Sequence, residues 1–394
     1  MASVPTQIER GSASLQPSAA DGLDVLFLLN NLAVGGSETK VVRLANSLHA
    51  RGGRVGVAYL NEPTTLLKDI QPGVATWFLS RRGRFSLKAH AALRDLIRTQ
   101  QPRNVVSVNL YPALYVVTAT RWLRHKPRTI GLLNTTEMRG ARWQRTFYSS
   151  VLKYLDRTVY GCELQRDAWL SADSPMRPNS TVIYNGVDLT RFVPSRAGVA
   201  EQRAQYGIDE RAFVVGSVGR LAKEKNQLPL IDAVADMRAS GADVHLVLVG
   251  DGPMRPELEQ RAAARGISKA ITFAGALPDV RVALKLFDVF VLPSFTETFS
   301  NAALEAMAMQ LPVILTRTGG AAEMIEHGRE GYIVDVAELP RRLPELLGEL
   351  RADAVLRTRM GAAAAQRAQQ KFSWDHMLGA YQTMLDSRQK ATHA

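Results

Sequence analysis

Short apolar runs alternate with helix-like segments along this chain, and the series occurs twice. The run 24–30 leads into a glycine-containing turn at 32–37 and then into 38–50, whose apolar residues have helical spacing, with Ser37 as its predicted N-cap. Strand, glycine turn and helix open a βαβ unit, and alternating strands and helices form parallel sheets. The sequence therefore predicts an α/β fold of two doubly wound, Rossmann-like domains with an active-site cleft between them.

Ten runs are predicted as strands. They are 24–30, 55–59, 105–108, 129–133 and 157–160 in the first series, and 213–218, 244–249, 271–273, 289–292 and 312–316 in the second. A polar, irregular stretch separates the two series. We predict a disordered tail at 1–20, a first domain over 21–194, a linker at 195–204 and a second domain over 205–372.

Composition excludes several classes of protein. Cys162 is the single cysteine of the 394 residues, which excludes a disulfide framework and a multi-cysteine metal site. One cysteine fits a reducing compartment, so we expect a cytoplasmic protein. No run approaches the roughly 18 apolar residues that span a bilayer, and the first 20 residues lack the apolar core of a signal peptide.

The positive charge is concentrated in the first half. The net charge is +12, and residues 1–190 hold 24 Lys and Arg against 13 Asp and Glu. Such a field attracts phosphate groups, whether in nucleic acid, in anionic lipid or in a phosphorylated acceptor.

The stretch 293–313 carries two glutamates eight residues apart, Glu297 and Glu305. It follows a predicted strand and enters a helix that we expect to begin near Ser300. Eight residues cover about 12 Å along a helix, which is comparable with the reach from a hexose across a diphosphate to a ribose. The helix N-terminus offers free N–H groups and a positive dipole to an anion between the two ends.

Three further polar turns follow predicted strands of the second series. The turn 219–226 holds Arg220 and Lys225, which could clamp a diphosphate as a fork and as a point charge. Gly250 and Asp251 open the turn 250–253, and 318–320 reads TGG. Each turn alone is typical of ordinary surface structure, but together they predict a phosphate-binding edge.

Together, in this order, these motifs resemble the retaining glycosyltransferases of family 4, which have the two-domain GT-B fold. The matching segments are GGSE at 35–38, NGVD at 185–188, GRLAKEKN at 219–226, GDGP at 250–253, the E-x7-E stretch at 297–305 and TGG at 318–320. The segment 372–385 resembles the family's terminal helix, so we expect 373–394 to cross back to the first domain. The resemblance implies an acceptor-side first domain and a nucleotide-sugar-binding second domain.

The resemblance also implies roles for individual residues. Arg220 and Lys225 would bind the donor diphosphate, Glu305 the ribose and Glu297 the transferred sugar. Backbone N–H groups of four consecutive residues would meet the sugar and the phosphate, and two glycines of the first domain would let its loop approach the donor phosphate. These residues are Phe299, Ser300, Asn301 and Ala302, and Gly35 and Gly36.

The first domain departs from the family pattern. Many members carry a histidine near the reacting sugar, after a strand like TIGLLN, but here Asn134 follows that run. Asn109 occupies a similar place after the run VVSV. Either asparagine could take over the hydrogen bond, or the acceptor differs.

No Asp-x-Asp pair, which would hold a divalent metal against the diphosphate, occurs in the sequence. We therefore expect no metal and no other cofactor, with Arg220, Lys225 and a helix N-terminus stabilising the leaving group. We favour attack by the acceptor hydroxyl on the face from which the phosphate departs.

Three basic clusters with interleaved aromatic residues lie in the first half, at 81–85, 121–126 and 139–153. Solvated helix faces are one interpretation. The other is contact with anionic lipid at the inner face of a membrane, which suits a lipid-linked or envelope glycan acceptor. Nucleic acid is disfavoured, since no nucleic-acid-binding motif accompanies the charge.

Rival functions remain open at this point. A nucleotide-sugar epimerase and a transferase with a soluble acceptor would use the same fold. A non-catalytic nucleotide-sugar-binding protein would be expected to lose Glu297, Lys225 or Arg220, and all three are present. A dehydrogenase would want G-x-G-x-x-G after its first strand, and AVGGSE differs from it.

Overall fold

The computed structural model of the protein describes residues 22–83, 85–134, 142–170, 179–195 and 197–387. The chain divides into two compact units. Met1–Ile183 and Leu378–Ala394 belong to the first unit, and Tyr184–Met377 forms the second. Each unit is Rossmann-like, with helices alternating along a parallel sheet, so the predicted fold class is confirmed.

The first sheet is built from the apolar runs of the first series. Within the described ranges it has seven parallel strands, namely Val25–Leu29 (β1), Val55–Tyr59 (β2), Ala75–Phe78 (β3), Asn104–Val108 (β4), Arg128–Leu132 (β5), Arg157–Tyr160 (β6) and Ser180–Val182 (β7). Their order is β3-β2-β1-β4-β5-β6-β7. Every residue of β1 is buried, as expected where helices cover both faces of a parallel sheet.

Helices connect these strands. They are Gly36–Ala50 (α1), Leu87–Gln100 (α2), Leu110–Thr120 (α3), Arg142–Leu152 (α4) and Glu163–Leu170 (α5). The Ser86 hydroxyl caps α2 by accepting from the N–H of Ala89. The predicted N-cap of α1 is wrong, because the chain is still extended at Gly35 and turns into the helix there, two residues before Ser37.

The second sheet repeats the design. In the part of Tyr184–Met377 that the structure describes, six parallel strands occur: Phe213–Val218 (β8), Val244–Val249 (β9), Ile271–Gly275 (β10), Val289–Leu292 (β11), Val313–Thr316 (β12) and Gly331–Val334 (β13). Their order is β10-β9-β8-β11-β12-β13. The order reverses beside β8, which places a topological switch point at the carboxyl ends of β8 and β11.

The remaining helices are Val199–Gln205 (α6), Leu228–Ala239 (α7), Arg255–Ala264 (α8), Arg281–Leu284 (α9), Asn301–Ala308 (α10), Ala321–Met324 (α11), Leu339–Ala352 (α12), Ala354–Lys371 (α13) and Trp374–Asp386 (α14). Proline occupies the first turn of α7, α8 and α12, where its missing N–H leaves no hydrogen bond unmade. Helix α14 begins in the second unit and ends in the first, which the chain re-enters at Leu378.

The boundary between the units differs from the predicted one. The second unit begins at Tyr184 rather than at 205. Backbone hydrogen bonds explain the shift, because Val187 N–H donates to Phe372 O at 2.8 Å and Val187 O accepts from Trp374 N–H at 2.8 Å. The predicted linker, 195–204, contains most of α6.

All ten predicted strands are present, and the described ranges contain three more that were missed, β3, β7 and β13. None of the helices in the described part of the chain is long and apolar enough to cross a membrane. The predicted tail, 1–20, lies outside the described residues.

Candidate active site

Four motif loops lie at one edge of the second sheet. They follow β9, β8, β11 and β12 and span 250–253, 219–226, 293–300 and 317–320. These four strands are consecutive neighbours in the sheet. Because parallel strands end at the same edge, residues dispersed over about 100 positions of sequence meet around the switch point.

An ion pair lies at the centre of this edge. Lys225 Nζ and Glu297 Oε2 are 2.5 Å apart, and the two side chains are 23% and 20% exposed. This partial burial strengthens the attraction compared with a surface pair, since less water screens it. The structure thus brings together two residues that lie 72 positions apart in the sequence.

Backbone geometry fixes Lys225 in a 3-10 turn, Lys223–Lys225. The turn ends at Asn226, whose φ of +52° is left-handed, a conformation that asparagine tolerates better than most residues. The Asn226 side-chain amide donates to Pro293 O at 3.0 Å, and Phe295 N–H donates to Glu224 O at 2.9 Å. The loops after β8 and β11 are therefore joined on both sides of the ion pair.

Arg220 is the second cation of the edge. Its guanidinium is 66% exposed and forms an ion pair with Glu224. The backbone N–H of Glu224 and then the Arg220 side chain hold the pKa of the Glu224 carboxyl below its ordinary value. Buried Gln227 donates to Arg220 O at 3.0 Å, so the backbone is fixed while the guanidinium stays accessible to an anion.

The TGG loop packs against the backbone of Glu297 and Thr298. Gly319 has a left-handed φ of +50°, and a Cβ there would lie 2.0 Å from Glu297 O. Gly320 N–H donates to Thr298 O at 2.7 Å. Glycine is thus required at 319 both for its conformation and for the close approach of two backbones.

Helix α10 begins beside Glu297, as predicted. Ser300 is its N-cap, and the hydroxyl accepts from Ala303 N–H at 3.2 Å. Asn301 and Ala302 form its first turn, and the partly exposed Glu305 lies in its second. Glu297 lies outside the helix, so the distance along a helix that we used for the two glutamates does not apply to them.

Asn185 has a structural role that sequence analysis missed. Its side-chain amide donates to Phe299 O at 2.7 Å, just before the N-terminus of α10. Phe299 is buried against Tyr184 and Phe372, with ring centroids 5.0 and 5.2 Å away. The NGVD segment therefore positions the helix. Its match to the family pattern was the available signal.

Gly250 and Asp251 have different environments. Gly250 has φ +131°, and a Cβ would lie 2.0 Å from Gly219 O, so this glycine allows the loops after β8 and β9 to touch. The exposed Asp251 accepts from Gly252 N–H at 2.7 Å and lies 3.8 Å from Arg255.

A polar network occupies the carboxyl edge of the first sheet. Asn134 N–H donates to the side-chain oxygen of Asn109 at 3.0 Å, and Lys40 Nζ donates to the side-chain oxygen of Asn134 at 3.1 Å. Asn109 has φ +66° at the start of α3, a strained conformation of the kind that clusters at functional sites. The two asparagines proposed from sequence thus meet, while Gly35 and Gly36 open α1.

Lys40 was missed by sequence analysis. It is buried on α1, and burial lowers the pKa of its ammonium to about 8 against the opposing effect of the Glu38 charge. Lys40, Leu44 and Leu48 are spaced i, i+4 and i+8, so a lysine on the apolar stripe of α1 was the available signal.

Comparison with known proteins identifies the family. The sequence profile of the group 1 glycosyl transferases matches residues 199–367, and that of glycosyltransferase family 4 matches residues 34–191. The chain is 31% identical over 283 residues to the alpha-D-kanosaminyltransferase of Streptomyces kanamyceticus, an alignment covering 68% of this chain and 70% of that relative. The chain belongs to the group 1, family 4 glycosyltransferases.

Two further relatives of this glycosyltransferase match about half of its length. A GDP-mannose-dependent alpha-(1-6)-phosphatidylinositol monomannoside mannosyltransferase of Mycolicibacterium smegmatis is 30% identical over 218 residues, covering 53% of this chain and 56% of that one. The lipopolysaccharide core biosynthesis glycosyltransferase LpsE of Rhizobium meliloti is 34% identical over 200 residues, covering 51% and 57%.

Solved structures share the fold. Anabaena HepE in complex with UDP has a TM-score of 0.82 and 21% identity, covering 92% of this chain and all of that one. WaaG, a glycosyltransferase of lipopolysaccharide biosynthesis, has a TM-score of 0.70 and 16% identity, covering 92% of this chain and all of that one. At this identity the likeness shows the fold alone.

The described residues of the glycosyltransferase hold no group of three or more His, Cys, Asp or Glu side chains arranged for a metal ion.

The basic cluster at 81–85 is partly engaged in contacts within the first unit. Arg81 lies 4.3 Å from the ring centre of Tyr111 and donates to the Asn61 side chain at 3.2 Å. Arg84 and Arg139 lie outside the described residues.

Proposed function

We propose that this glycosyltransferase moves a hexose-type sugar from a nucleotide-diphosphate-sugar to an acceptor hydroxyl of a lipid-linked or envelope glycan, with retention and without a metal ion. The ion pair of Lys225 and Glu297, beside the exposed Arg220 guanidinium and the N-terminus of α10, carries the proposal. This edge offers cations, free N–H groups and a carboxylate, which are the groups that a sugar diphosphate requires.

Each part of the donor has a residue class to match it. Arg220 and Lys225 bind the diphosphate, and the N–H groups of 299–302 add the positive end of the α10 dipole. Glu297 accepts hydrogen bonds from the transferred sugar, and Glu305 accepts them from the ribose. The UDP bound by the Anabaena neighbour supports a nucleotide donor.

Retention follows from attack on the face that the phosphate leaves. The bond from C1 to the phosphate oxygen breaks as the bond from C1 to the acceptor oxygen forms, and the departing phosphate takes the hydroxyl proton. Lys225 and Arg220 stabilise the charge that develops on the diphosphate. Their two fixed positive charges can serve where other enzymes use a divalent ion.

The acceptor side belongs to the first unit. Asn109 and Asn134 provide amide groups, and buried Lys40, which lies four residues after Gly36 on α1, holds Asn134 in place. The mannosyltransferase and lipopolysaccharide relatives support a glycan or lipid-linked acceptor. We propose that the protein works in the cytoplasm, peripherally at the inner face of the cell membrane.

An exposed patch at the carboxyl edge of the first sheet supports the membrane part of the proposal. It comprises Arg82, Phe85, Leu87 and Lys88, in the loop after β3 and the first turn of α2. Phe85 is 44% exposed and Leu87 is 77% exposed. Apolar side chains beside basic ones match an anionic lipid surface, where each basic residue contributes about 1 kcal/mol.

Release of nucleotide from a panel of UDP-, GDP- and ADP-sugars, with and without lipid extract, tests the proposal. Lys225→Ala should lower release by roughly 100-fold or more, since it removes a group that stabilises the leaving diphosphate. Lys223→Ala is the matched control, because this exposed lysine lies in the same 3-10 turn. Near-normal release by Lys225→Ala, or no release from any donor by the wild type, would contradict the proposal.

A further inference from the structure

A cavity of about 1140 Å³ lies at the opposite edge of the first sheet. Its lining includes Val25, Val55, Asn104 and Arg128, which are the first residues of β1, β2, β4 and β5. The last turn of α14 lines it as well. Because Asn109 and Asn134 lie at the carboxyl ends of these strands, the cavity is separate from the proposed acceptor site.

Basic side chains outnumber acidic ones in the lining of the cavity. Five cations face three carboxylates there: Arg51, Arg103, Arg121, Lys126 and Arg128, against Asp24, Asp156 and Asp386. Two of the carboxylates are already engaged. Asp24 pairs with Arg54 and Arg103 at 3.5 Å each, and Asp156 accepts from the N–H and hydroxyl of Thr129 at 2.8 and 2.9 Å. The cavity therefore keeps an excess of positive charge.

Arg121 and Lys126 supply most of that excess. Both are exposed, and neither has a carboxylate partner among the described residues. The Arg121 guanidinium lies 5.1 Å from the ring centre of Tyr154 and 5.4 Å from that of Trp122. Stacking on two rings orients the guanidinium and leaves its edge free to donate hydrogen bonds.

Arg128 adds a cation to the lining, and hydrogen bonds to the C-terminal end of α14 hold its side chain in place. It donates to Met384 O at 2.5 Å and to Ser387 O at 3.0 Å. Its Nε is buried and has no hydrogen-bond acceptor in the described part of the chain, and the same is true of Arg157 Nε. Burial first, and then the charge of Arg157, lower the pKa of Arg128. Two neighbouring cations repel each other where burial reduces screening by water, and an anion in the cavity beside Arg128 would offset that repulsion.

We propose that this cavity binds a phosphate-bearing anion at a site distinct from the donor site. Arginine provides planar forks and lysine a point charge, the pair of groups that phosphate recognition uses. The volume suits a ligand larger than a single phosphate ion. A lipid headgroup and a soluble phosphorylated metabolite share this chemistry. The inference goes beyond the proposed transfer reaction and does not depend on it.

Inorganic pyrophosphate, titrated by calorimetry at constant ionic strength, is the probe. The titration uses the full chain carrying Arg220→Ala and Lys225→Ala, so that the proposed donor site does not contribute. Adding Arg121→Gln and Lys126→Gln should weaken binding at least tenfold. Adding Lys269→Gln and Arg351→Gln, two exposed residues of the second unit, removes the same charge elsewhere and should change affinity less than twofold.

Asp386→Asn adds a test with the opposite expected sign, because it removes a negative charge from the lining. Asp386 is an exposed carboxylate of the lining with no ion-pair partner among the described residues, so its neutralisation should tighten pyrophosphate binding several-fold. Unchanged affinity in the Arg121→Gln, Lys126→Gln protein, or an equal loss in the Lys269→Gln, Arg351→Gln control, would overturn the proposal.

Vesicles distinguish the two sources of phosphate. Co-sedimentation with phosphatidylglycerol vesicles, compared with phosphatidylcholine vesicles, should weaken in the Arg121→Gln, Lys126→Gln protein if a headgroup fills the cavity. If vesicle binding persists while pyrophosphate binding is lost, the ligand is soluble. Nucleotide release by Arg121→Gln, Lys126→Gln in an otherwise wild-type chain should remain normal, so failure here leaves the donor-site proposal standing.

Discussion

The carboxyl edges of the two sheets are built differently. In the second unit, four short loops after neighbouring strands bring Arg220, Lys225 and Glu297 together, and glycines let the backbones touch. In the first unit, the polar groups are amides held by one buried lysine, Lys40. A fixed diphosphate needs charge, whereas an acceptor hydroxyl needs hydrogen bonds. The difference assigns the donor to one edge and the acceptor to the other in our proposal.

Gly319→Ala should break the donor edge most severely. The added Cβ would lie 2.0 Å from Glu297 O in a left-handed conformation, so the Glu297 loop must shift and the geometry of its ion pair with Lys225 must change. We expect donor hydrolysis and transfer to fall together, by roughly 100-fold, since both depend on that geometry.

Gly241→Ala is the matched control for this prediction. Gly241 has φ +88° and open space where the added Cβ would lie, so the substitution incurs the conformational penalty of about 1–2 kcal/mol without a clash. Parallel measurement of nucleotide release and thermal unfolding separates the two effects. Equal activity of the two variants would show that Gly319 does not position Glu297.

The protonation state of Lys40 should affect the proposed acceptor edge. With a pKa of about 8, Lys40 is charged at pH 7 and becomes neutral as the pH rises through 8, which weakens its hydrogen bond to Asn134. The ratio of transfer to hydrolysis should therefore decline, by several-fold, between pH 7 and pH 9.

Replacement of Lys40 tests this assignment. Lys40→Met should lower the ratio at all pH values and remove its dependence on pH around 8. Because the folded pKa lies below the ordinary 10.5, the charged lysine destabilises the fold below about pH 8, and this cost disappears as the pH rises toward 10.5. Lys40→Met should thus be no less stable at pH 7 in urea titrations. An unchanged ratio profile would exclude Lys40 from the acceptor side.

The exposed patch of the first unit predicts salt-dependent membrane binding. Arg82→Glu with Lys88→Glu should weaken co-sedimentation with anionic vesicles by about tenfold at low salt, and the difference should shrink as salt screens the charges. Lys269→Glu with Arg351→Glu is the control in the second unit. If vesicle binding changed with neither lipid charge nor salt concentration, a soluble acceptor would be favoured.

The smallest expected effect comes from a chelator. If Arg220 and Lys225 stabilise the diphosphate, EDTA should leave transfer within twofold of its normal rate. Activity that EDTA abolishes and that magnesium or manganese restores would show that the proposed cation clamp is insufficient.

The residues of the proposed donor edge could be placed together from the sequence because each of them lies directly after a predicted strand. Arg220, Lys225 and Glu297 each follow a run of buried apolar residues, so strand prediction places them at the same edge. The strands β3, β7 and β13 were missed. All three are edge strands of three or four residues, and β3 and β7 are only partly buried. Their pairing depends on tertiary contacts rather than on their own sequence.

The polar network of the first sheet, our proposed acceptor edge, was less predictable because its contacts join residues far apart in the sequence. Lys40 meets Asn134 across 94 positions. The same holds for one contact of the second unit, where Asn185 meets Phe299 across 114 positions. The two asparagines were proposed because each follows a predicted strand. Lys40, which donates a hydrogen bond to Asn134, belongs to none of the sequence motifs. The unit boundary was misjudged for the same reason, since the backbone bonds of Val187 are made with Phe372 and Trp374.

Helix α14 gives the chain an unusual order of assembly. The Asn104 side chain donates to Leu385 O, and Arg128 donates to Met384 O, so two strands of the first sheet hold the last turn of α14. During synthesis on a ribosome, the unit that emerges first must therefore wait for the second unit to be made before it is complete. A chain stopped before Leu378 would lack part of its first unit. Mutations that truncate the C-terminus should therefore destabilise the N-terminal unit.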